Sequence, residues 1–285
     1  MYPNTSRSAT GRSTPTSSLA SILAATRTSL GPLRRHRAEL RRAAEAAATP
    51  LPIVPALRGG DVAVIAEVKR RSPSAGAIAE ELEPGDHAAA YVAGGARAVS
   101  VLTEARHFGG SLGDLDAVAS RVRTPLLRKD FMLDEVQIAE ARLHGASAIL
   151  LIVRALDRVA LRDLREAAHG LGLACLVEVH SLGELDRALE VKPEMVGANA
   201  RDLDSFAVDM EAIEPVLRAI PPTVLAVAES GLSTRADVER VARWGADAVL
   251  VGTAVAAARD PAAAVRGLTG ALRRTRGRGA AGVLA

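Results

Sequence analysis

Lysine is nearly missing from this chain. Of 36 Lys and Arg residues in a sequence of 285, only positions 69, 129 and 192 are lysine. Aromatic residues make up 2%, and cysteine occurs once. Each shortage excludes something. A single cysteine, Cys175, permits neither an internal disulfide nor a cysteine-cluster metal site. Its place in the apolar run "LACLVEV" reads as a small buried thiol. Without aromatics, the basic runs "PLRRHRAELRR" and "LRRTRGRG" lack the stacking platforms of single-stranded nucleic-acid surfaces. They read as a solvated helix face and a tail, so no nucleic-acid partner is expected. No stretch approaches the ~20 apolar residues of a membrane span, so no membrane partner is expected either. The histidines, including His107, His144, His169 and His180, are scattered without ligand spacing. They read as ordinary surface residues, and no metal site is expected. The first 18 residues carry no acid and much Ser, Thr and Arg. That composition suits either an organelle transit peptide or a disordered tail. The expectation adopted is a tail on a cytoplasmic enzyme.

What is present is a rhythm. Residues 19–48 carry a helical pattern that "TPLPIVP" breaks. After Asp61, short β-branched runs alternate with longer amphipathic ones. The strand candidates are 62–68, 98–102, 125–129, 148–153, 174–179, 195–199, 224–230 and 248–252. Strand–helix alternation implies parallel strands joined by crossover helices. Eight such units predict a (β/α)8 TIM barrel. The competitor, a doubly wound open sheet, expects a glycine-rich phosphate turn after the first strand. Here that turn is "KRRSPSAG". The expected organisation is a disordered tail over 1–18, a helical extension over 19–60, the barrel over 61–270 and a basic flexible tail over 271–285.

Such barrels carry their active sites at the C-terminal ends of the strands. Here those ends hold Glu67 and Lys69, then Lys129, then Glu178, Asn199 with Arg201, and Glu229 with Ser230. Five strands ending in acids, bases and amides point to one reactive mouth. Two of the three lysines stand there, in a chain that otherwise uses arginine. Arginine binds anions but holds its proton, whereas lysine releases a proton when its surroundings lower its pKa. Lys69 and Lys129 are therefore candidate proton donors, while Arg70 and Arg71 read as interchangeable cations. Lys192 reads as a surface residue. The turns "ESGLST" and "LVGTAV" follow strands seven and eight. Small residues there let backbone N–H groups approach an anion. Ser230, Gly231, Gly252 and Thr253 are the expected phosphate contacts, with Ser72 able to reach the same anion.

The chain reads, in order, "VIAEVKRRSPSAG", "SVLTEARHFGGSLGDL", "PLLRKDFMLDEVQIAEARLHGASAILLIV", "LVEVHSLGELDRAL", "GANARDL" and "AESGLSTRADV". In order and in spacing, from about residue 52 to 268, these resemble the motifs of indole-3-glycerol phosphate synthase. Phosphoribosylanthranilate isomerase, a neighbouring barrel, expects a cysteine where this chain reads "AEVK". The resemblance implies a barrel working without metal or organic cofactor on a small phosphorylated substrate. That substrate, 1-(2-carboxyphenylamino)-1-deoxyribulose 5-phosphate, is closed to indole-3-glycerol phosphate with loss of CO2 and water. It implies Lys129 as general acid and Lys69 in substrate binding and dehydration. Glu178 becomes the principal catalytic carboxylate. Glu67 and Glu229 hold the lysines and sugar hydroxyls, Asn199 faces the reacting centre, and Arg201 holds the substrate carboxylate. Arg70 and Arg128 are expected to oppose the lysine charges. Phe108, Phe131, Leu150, Ile152, Leu176, Leu203 and Phe206 are expected to wall the aromatic slot. The chain departs from the family at Ala75, where a lysine is common, and at Ala200, where an asparagine is. A barrel serving a specialised indole pathway and a silent scaffold paralogue are the alternative readings. A monomer or weak homodimer is expected.

Overall fold

The computed structural model describes residues 18–274 and 276. The expected N-terminal tail lies outside these residues except for Ser18, which caps the first helix. Eight parallel strands close on themselves. They are β1 (Ala63–Val68), β2 (Ala98–Leu102), β3 (Leu126–Lys129), β4 (Ala148–Ile152), β5 (Ala174–Val179), β6 (Met195–Asn199), β7 (Leu225–Glu229) and β8 (Ala248–Val251). Ile65 of β1 is in register with Ala98 on one side and Leu250 on the other. That last pairing closes the sheet and excludes the open doubly wound alternative. A small antiparallel hairpin, Arg71–Ser72 with Gly76–Ala77, stands apart in the loop after β1.

Strand residues alternate between two cores because successive side chains point to opposite faces. Val64, Ala66, Val99, Val101, Ile149, Leu151, Cys175 and Val177 face the surrounding helices in the larger cluster. Ala63, Ile65, Ala98, Leu127, Leu150, Leu176, Met195, Val227 and Leu250 fill the barrel. The inward parity continues upward to the polar residues. Glu67 shares it with Ala63 and Ile65, Lys129 with Leu127, Glu178 with Leu176, and Glu229 with Val227. The shared parity aims all four at one mouth.

The N-terminal extension forms α1 (Leu19–Arg35), α2 (Arg37–Ala46) and α3 (Ile53–Leu57). A reciprocal Ser18–Ser21 capping box starts α1. The basic run at the junction of α1 and α2 is more than a solvated face. Arg34 and Arg37 reach Asp134 at 2.7 and 3.1 Å. Asp134 is the N-cap of the helix Glu135–Leu143, which follows the β3 loop. This clamp sets Leu19, Ile22 and Leu23 against the same interior cluster as Phe131.

The barrel does not stop at 270. Ala271 is buried and its carbonyl accepts Val62 N–H, while Leu272 bridges to Asp61. Arg273 and Arg276 both meet the buried Asp247. The expected flexible tail is therefore anchored through its first residues, because Asp247 at the foot of β8 needs cationic partners. The remainder of that tail lies outside the described residues.

Candidate active site

The mouth of the barrel encloses a cavity of about 450 Å³. Lys129 stands at its centre. Its Nζ donates to Glu229 Oε2 at 2.7 Å and lies 3.8 Å from Glu67 Oε2 and 4.0 Å from Glu178 Oε2. Burial works to lower the Lys129 pKa, but the three carboxylates outweigh it and hold the ammonium well above its ordinary value. Lys69 Nζ lies 3.5 Å from the other Glu67 oxygen. There burial wins: the Lys69 pKa is lowered, with Lys129 and Arg201 adding to the effect against the pull of Glu67. Two lysines on one carboxylate thus receive opposite shifts. This is the kind of divergence that separates proton-transfer roles. Burial, with Glu178 and Glu67 nearby, raises the Glu229 carboxyl against the pull of Lys129.

Most of the expected residues line this cavity. Glu67, Lys69, Lys129, Glu178 and Asn199 do, as do Ser72, Arg201, Phe108, Phe131, Leu150, Ile152, Leu203 and Phe206. Ser230, Gly231, Gly252 and Thr253 line its other side. Glu229 and Leu176 do not. Both are fully buried, at 0% exposure: Leu176 belongs to the interior cluster of the barrel, and Glu229 is bonded to Lys129. Glu229 acts on the site only through Lys129, and Leu176 supports the slot from below. Arg70 and Arg128 are not opposing charges, because their parity turns them outward. Arg70 donates to the Leu82 carbonyl and to Asp114. Arg128 is held by Thr103, Asp130, Glu140 and the Gln137 carbonyl. Arg70 is consequently not an interchangeable cation.

Two glycines make room for the carboxylates. A Cβ on Gly197 would strike Glu229 Oε1, and one on Gly252 would strike Glu67 Oε1. Gly252 therefore serves Glu67 as well as the expected anion turn. Ser230 and Gly231 are consecutive left-handed residues, with φ of 68° and 73°. For a serine that conformation costs roughly 1–2 kcal/mol, and such strain gathers at functional turns. Gly252 caps the short turn Thr253–Ala256, whose first N–H groups have no partner within the turn.

The loop after β6 presents Arg201 and Phe206. Arg201 donates from Nη1 to the Phe206 carbonyl at 2.9 Å and to Ser74 Oγ at 3.1 Å, across to the first-loop hairpin. Phe206 is itself held at φ 58°. The apolar wall is completed by the Phe108–Phe131 pair, with ring centroids 6.4 Å apart. Leu19 and Ile22 of α1, Pro73 and Ser74 of the hairpin, and Leu232 and Ser233 after β7 also line the cavity. The sequence gives no sign of these contacts, because they depend on how distant segments dock. His180 was expected at the surface, but its side chain is 5% exposed and stands behind Glu178. Among the described residues no group of three or more His, Cys, Asp or Glu is arranged to hold a metal ion.

A family model described as indole-3-glycerol phosphate synthase matches residues 19–268. Curated proteins of that name are close in sequence. The one from Mycolicibacterium gilvum is 48% identical over 231 residues, covering 81% of this chain and 85% of the relative. That from Mycobacteroides abscessus is 49% identical with the same coverage. That from Saccharopolyspora erythraea is 48% identical over 80% of this chain and 84% of its own length. Among solved structures, 3-hexulose-6-phosphate synthase from Salmonella typhimurium superposes with a TM-score of 0.57 at 15% identity, covering 73% of this chain and 96% of that one. Thiamine phosphate pyrophosphorylase from Pyrococcus furiosus gives 0.56 at 17%, covering 73% and 93%. At such identities these two report the barrel fold alone.

Proposed function

The chain belongs to the indole-3-glycerol phosphate synthase family, and from that premise we propose how its side chains divide the work. The reaction is a step of tryptophan biosynthesis. It closes 1-(2-carboxyphenylamino)-1-deoxyribulose 5-phosphate to indole-3-glycerol phosphate with loss of CO2 and water. The ring carbon bearing the carboxylate attacks the ribulose carbonyl, whose oxygen must gain a proton. Decarboxylation restores the aromatic ring. The new hydroxyl then leaves as water, and a proton is lost from the neighbouring carbon.

Lys129 gives the proton to the carbonyl oxygen. Its three carboxylate neighbours keep it charged, and an alkoxide still binds a proton more tightly than an amine, so the transfer is favourable as the oxyanion develops. Glu229 fixes the ammonium from below. Lys69, with its lowered pKa, binds the substrate and serves the dehydration. Glu178 removes the proton that makes the indole double bond. Glu67 holds Lys69 and the sugar hydroxyls, and Asn199 faces the reacting centre. Arg201, already beside the first-loop hairpin, holds the substrate carboxylate until CO2 leaves. Ser72 and the turns at Ser230–Gly231 and Gly252–Thr253 hold the phosphate. The aromatic ring lies between Phe108, Phe131, Leu150, Ile152, Leu203 and Phe206. The expected monomer or weak homodimer is kept as part of this reading, and the biosynthetic role supports a cytoplasmic location.

The observation that carries this assignment is Lys129 Nζ at 2.7 Å from a fully buried carboxylate, with two more within 4.0 Å, in a cavity of about 450 Å³. The test is Lys129→Arg, followed by the fluorescence of the indole product. The bulky guanidinium retains its proton, so turnover should fall by about 10²–10⁴-fold while the protein stays folded. Near-native turnover would remove Lys129 from the acid role.

A further inference from the structure

Among the buried titratable groups that the scheme above leaves unused, His180 stands against Glu178. His180 lies two residues beyond Glu178, at the end of β5. Its Nδ1 is 3.1 Å from Glu184 Oε2, on the helix Leu182–Glu190. The same oxygen accepts the His180 backbone N–H at 2.8 Å. The other Glu184 oxygen accepts Arg154 Nε at 3.2 Å. Burial works to raise the Glu184 carboxyl, but His180 and Arg154 outweigh it and bring it down to about 2. Glu184 is therefore an anion, and the imidazole nitrogen facing it must be a donor.

That leaves Nε2 to be decided. It lies 3.5 Å from Glu178 Oε1, and both atoms are buried without any hydrogen-bond partner. A neutral imidazole donating from Nδ1 would point its Nε2 lone pair at a carboxylate. Two unpaired acceptors facing each other out of water are costly. One proton between them removes the conflict, on Glu178 or on His180. Lys129, 4.0 Å from the other Glu178 oxygen, favours the carboxylate form of Glu178. The proton then belongs to the imidazole.

We propose that His180 is an imidazolium clamped between Glu184 and Glu178, a positioning residue that holds Glu178 ionised and aimed for proton removal. This deepens, and rests on, the reading of Glu178 as the base. The surrounding charges agree. Glu178 on β5 and Glu184 on the following helix face the ring. Arg154, from the turn after β4, opposes it but is itself engaged by Glu184, Asp202 and Asp204. Burial lowers the imidazole pKa, yet the two glutamates outweigh burial and Arg154 and place it above its ordinary value.

Two independent measurements test this. In the first, the imidazole nitrogens of the wild-type protein are titrated by NMR, with the His180 signal assigned by its loss in His180→Gln. It should be doubly protonated at pH 6 and titrate above the ordinary imidazole value of 6.5, and a ring that titrates at or below that value overturns the proposal. In the second, kcat and KM are followed against pH. The variant loses the cation beside the proposed base, so the acid limb of kcat in His180→Gln should move to higher pH by about 1–3 pH units. KM should stay within about threefold. A limb that stays in place while kcat and stability fall together assigns a merely structural role and overturns the proposal. Glu184→Gln should move the limb the same way by less, and it serves if His180→Gln does not fold. Wild-type turnover by Glu178→Gln would instead sink the base assignment, leaving the NMR titration to report the protonation by itself.

Discussion

Gly197→Ala adds one methyl group, and the structure says where it goes. Gly197 lies in the middle of β6, with inward parity shared by Met195 and Asn199. Its backbone is outside the left-handed region, so alanine is locally acceptable and restricts the unfolded chain. The new Cβ would overlap Glu229 Oε1, with Glu229 Cδ at 3.1 Å and Leu176 Cδ1 at 3.3 Å. The Glu229 carboxylate cannot retreat into water, being fully buried. It must swing, and its 2.7 Å bond to Lys129 is lost. Overpacking costs about 1–3 kcal/mol, a lost charge-assisted hydrogen bond about 1.5–3 kcal/mol, and the alanine restores about 0.4–1 kcal/mol. The net is roughly 2–5 kcal/mol, or a fall in Tm of about 4–20 °C for a domain of this size. Turnover should fall about 100-fold, the scale of an ångström-sized misplacement of a catalytic group. Thermal melting and the fluorescence assay read the two effects. A second substitution sharpens the test: Glu229→Asp in the alanine background shortens the acid, clears the methyl and should recover part of the lost Tm. Wild-type Tm and turnover in Gly197→Ala would refute the claim that this glycine exists to seat Glu229.

Other regions yield their own outcomes. Asp134→Ala removes a helix cap worth about 1 kcal/mol together with the anchor of Arg34 and Arg37. α1 then loosens, and because Leu19 and Ile22 wall the cavity, KM should rise more than kcat falls. An unchanged KM would detach α1 from substrate binding. Acid stability should depend on Glu184, whose folded pKa is depressed from 4.5 to about 2. A depressed carboxyl stabilises the fold fully above its unfolded pKa and loses that contribution as pH falls through the folded one. In urea titrations the stability gap between wild type and Glu184→Gln should thus be widest near pH 6 and narrow from pH 4.5 towards 2. A gap that does not change with pH would contradict the ion pair.

The strands were legible because their signal is local. β-branched runs of four to six residues ending in a charge leave few other architectures, and each observed strand falls inside its expected span. The side chains that gather at the mouth were legible for the same reason, since strand ends and barrel mouths coincide. What escaped was cover. Glu229 is level with Asn199 and Leu250, which both line the cavity, yet it is fully buried and bonded to Lys129 from across the barrel. Nothing in the letters says that Lys129 closes over it. His180 escaped for another reason. One histidine after a strand looks like any surface histidine until helix Leu182–Glu190 folds back to supply Glu184. The Arg201–Ser74 contact and the Leu19–Ile22 wall are likewise products of docking between segments far apart in sequence.

The scarcity of lysine acquires a structural meaning at two junctions. Lys69 precedes Arg70, and Arg128 precedes Lys129. In each pair, alternation sends the lysine into the mouth and the arginine outward. The outward positions ask for a planar fork. Arg70 spans the Leu82 carbonyl and Asp114, and Arg128 satisfies four partners at once. A lysine, with three donors on a single atom, could not span partners so far apart, and at the buried Arg128 position it would leave part of the set unpaired. The inward positions ask for the reverse. Lys129 sits among three carboxylates and, in the proposed mechanism, hands a proton to a substrate oxygen, which a guanidinium does not do near neutral pH. Lys69 must lower its affinity for a proton in response to burial, a response that arginine hardly shows. Two of the three lysines in an arginine-rich chain thus stand where the proposed mechanism moves a proton, and the third, Lys192, lies outside the site.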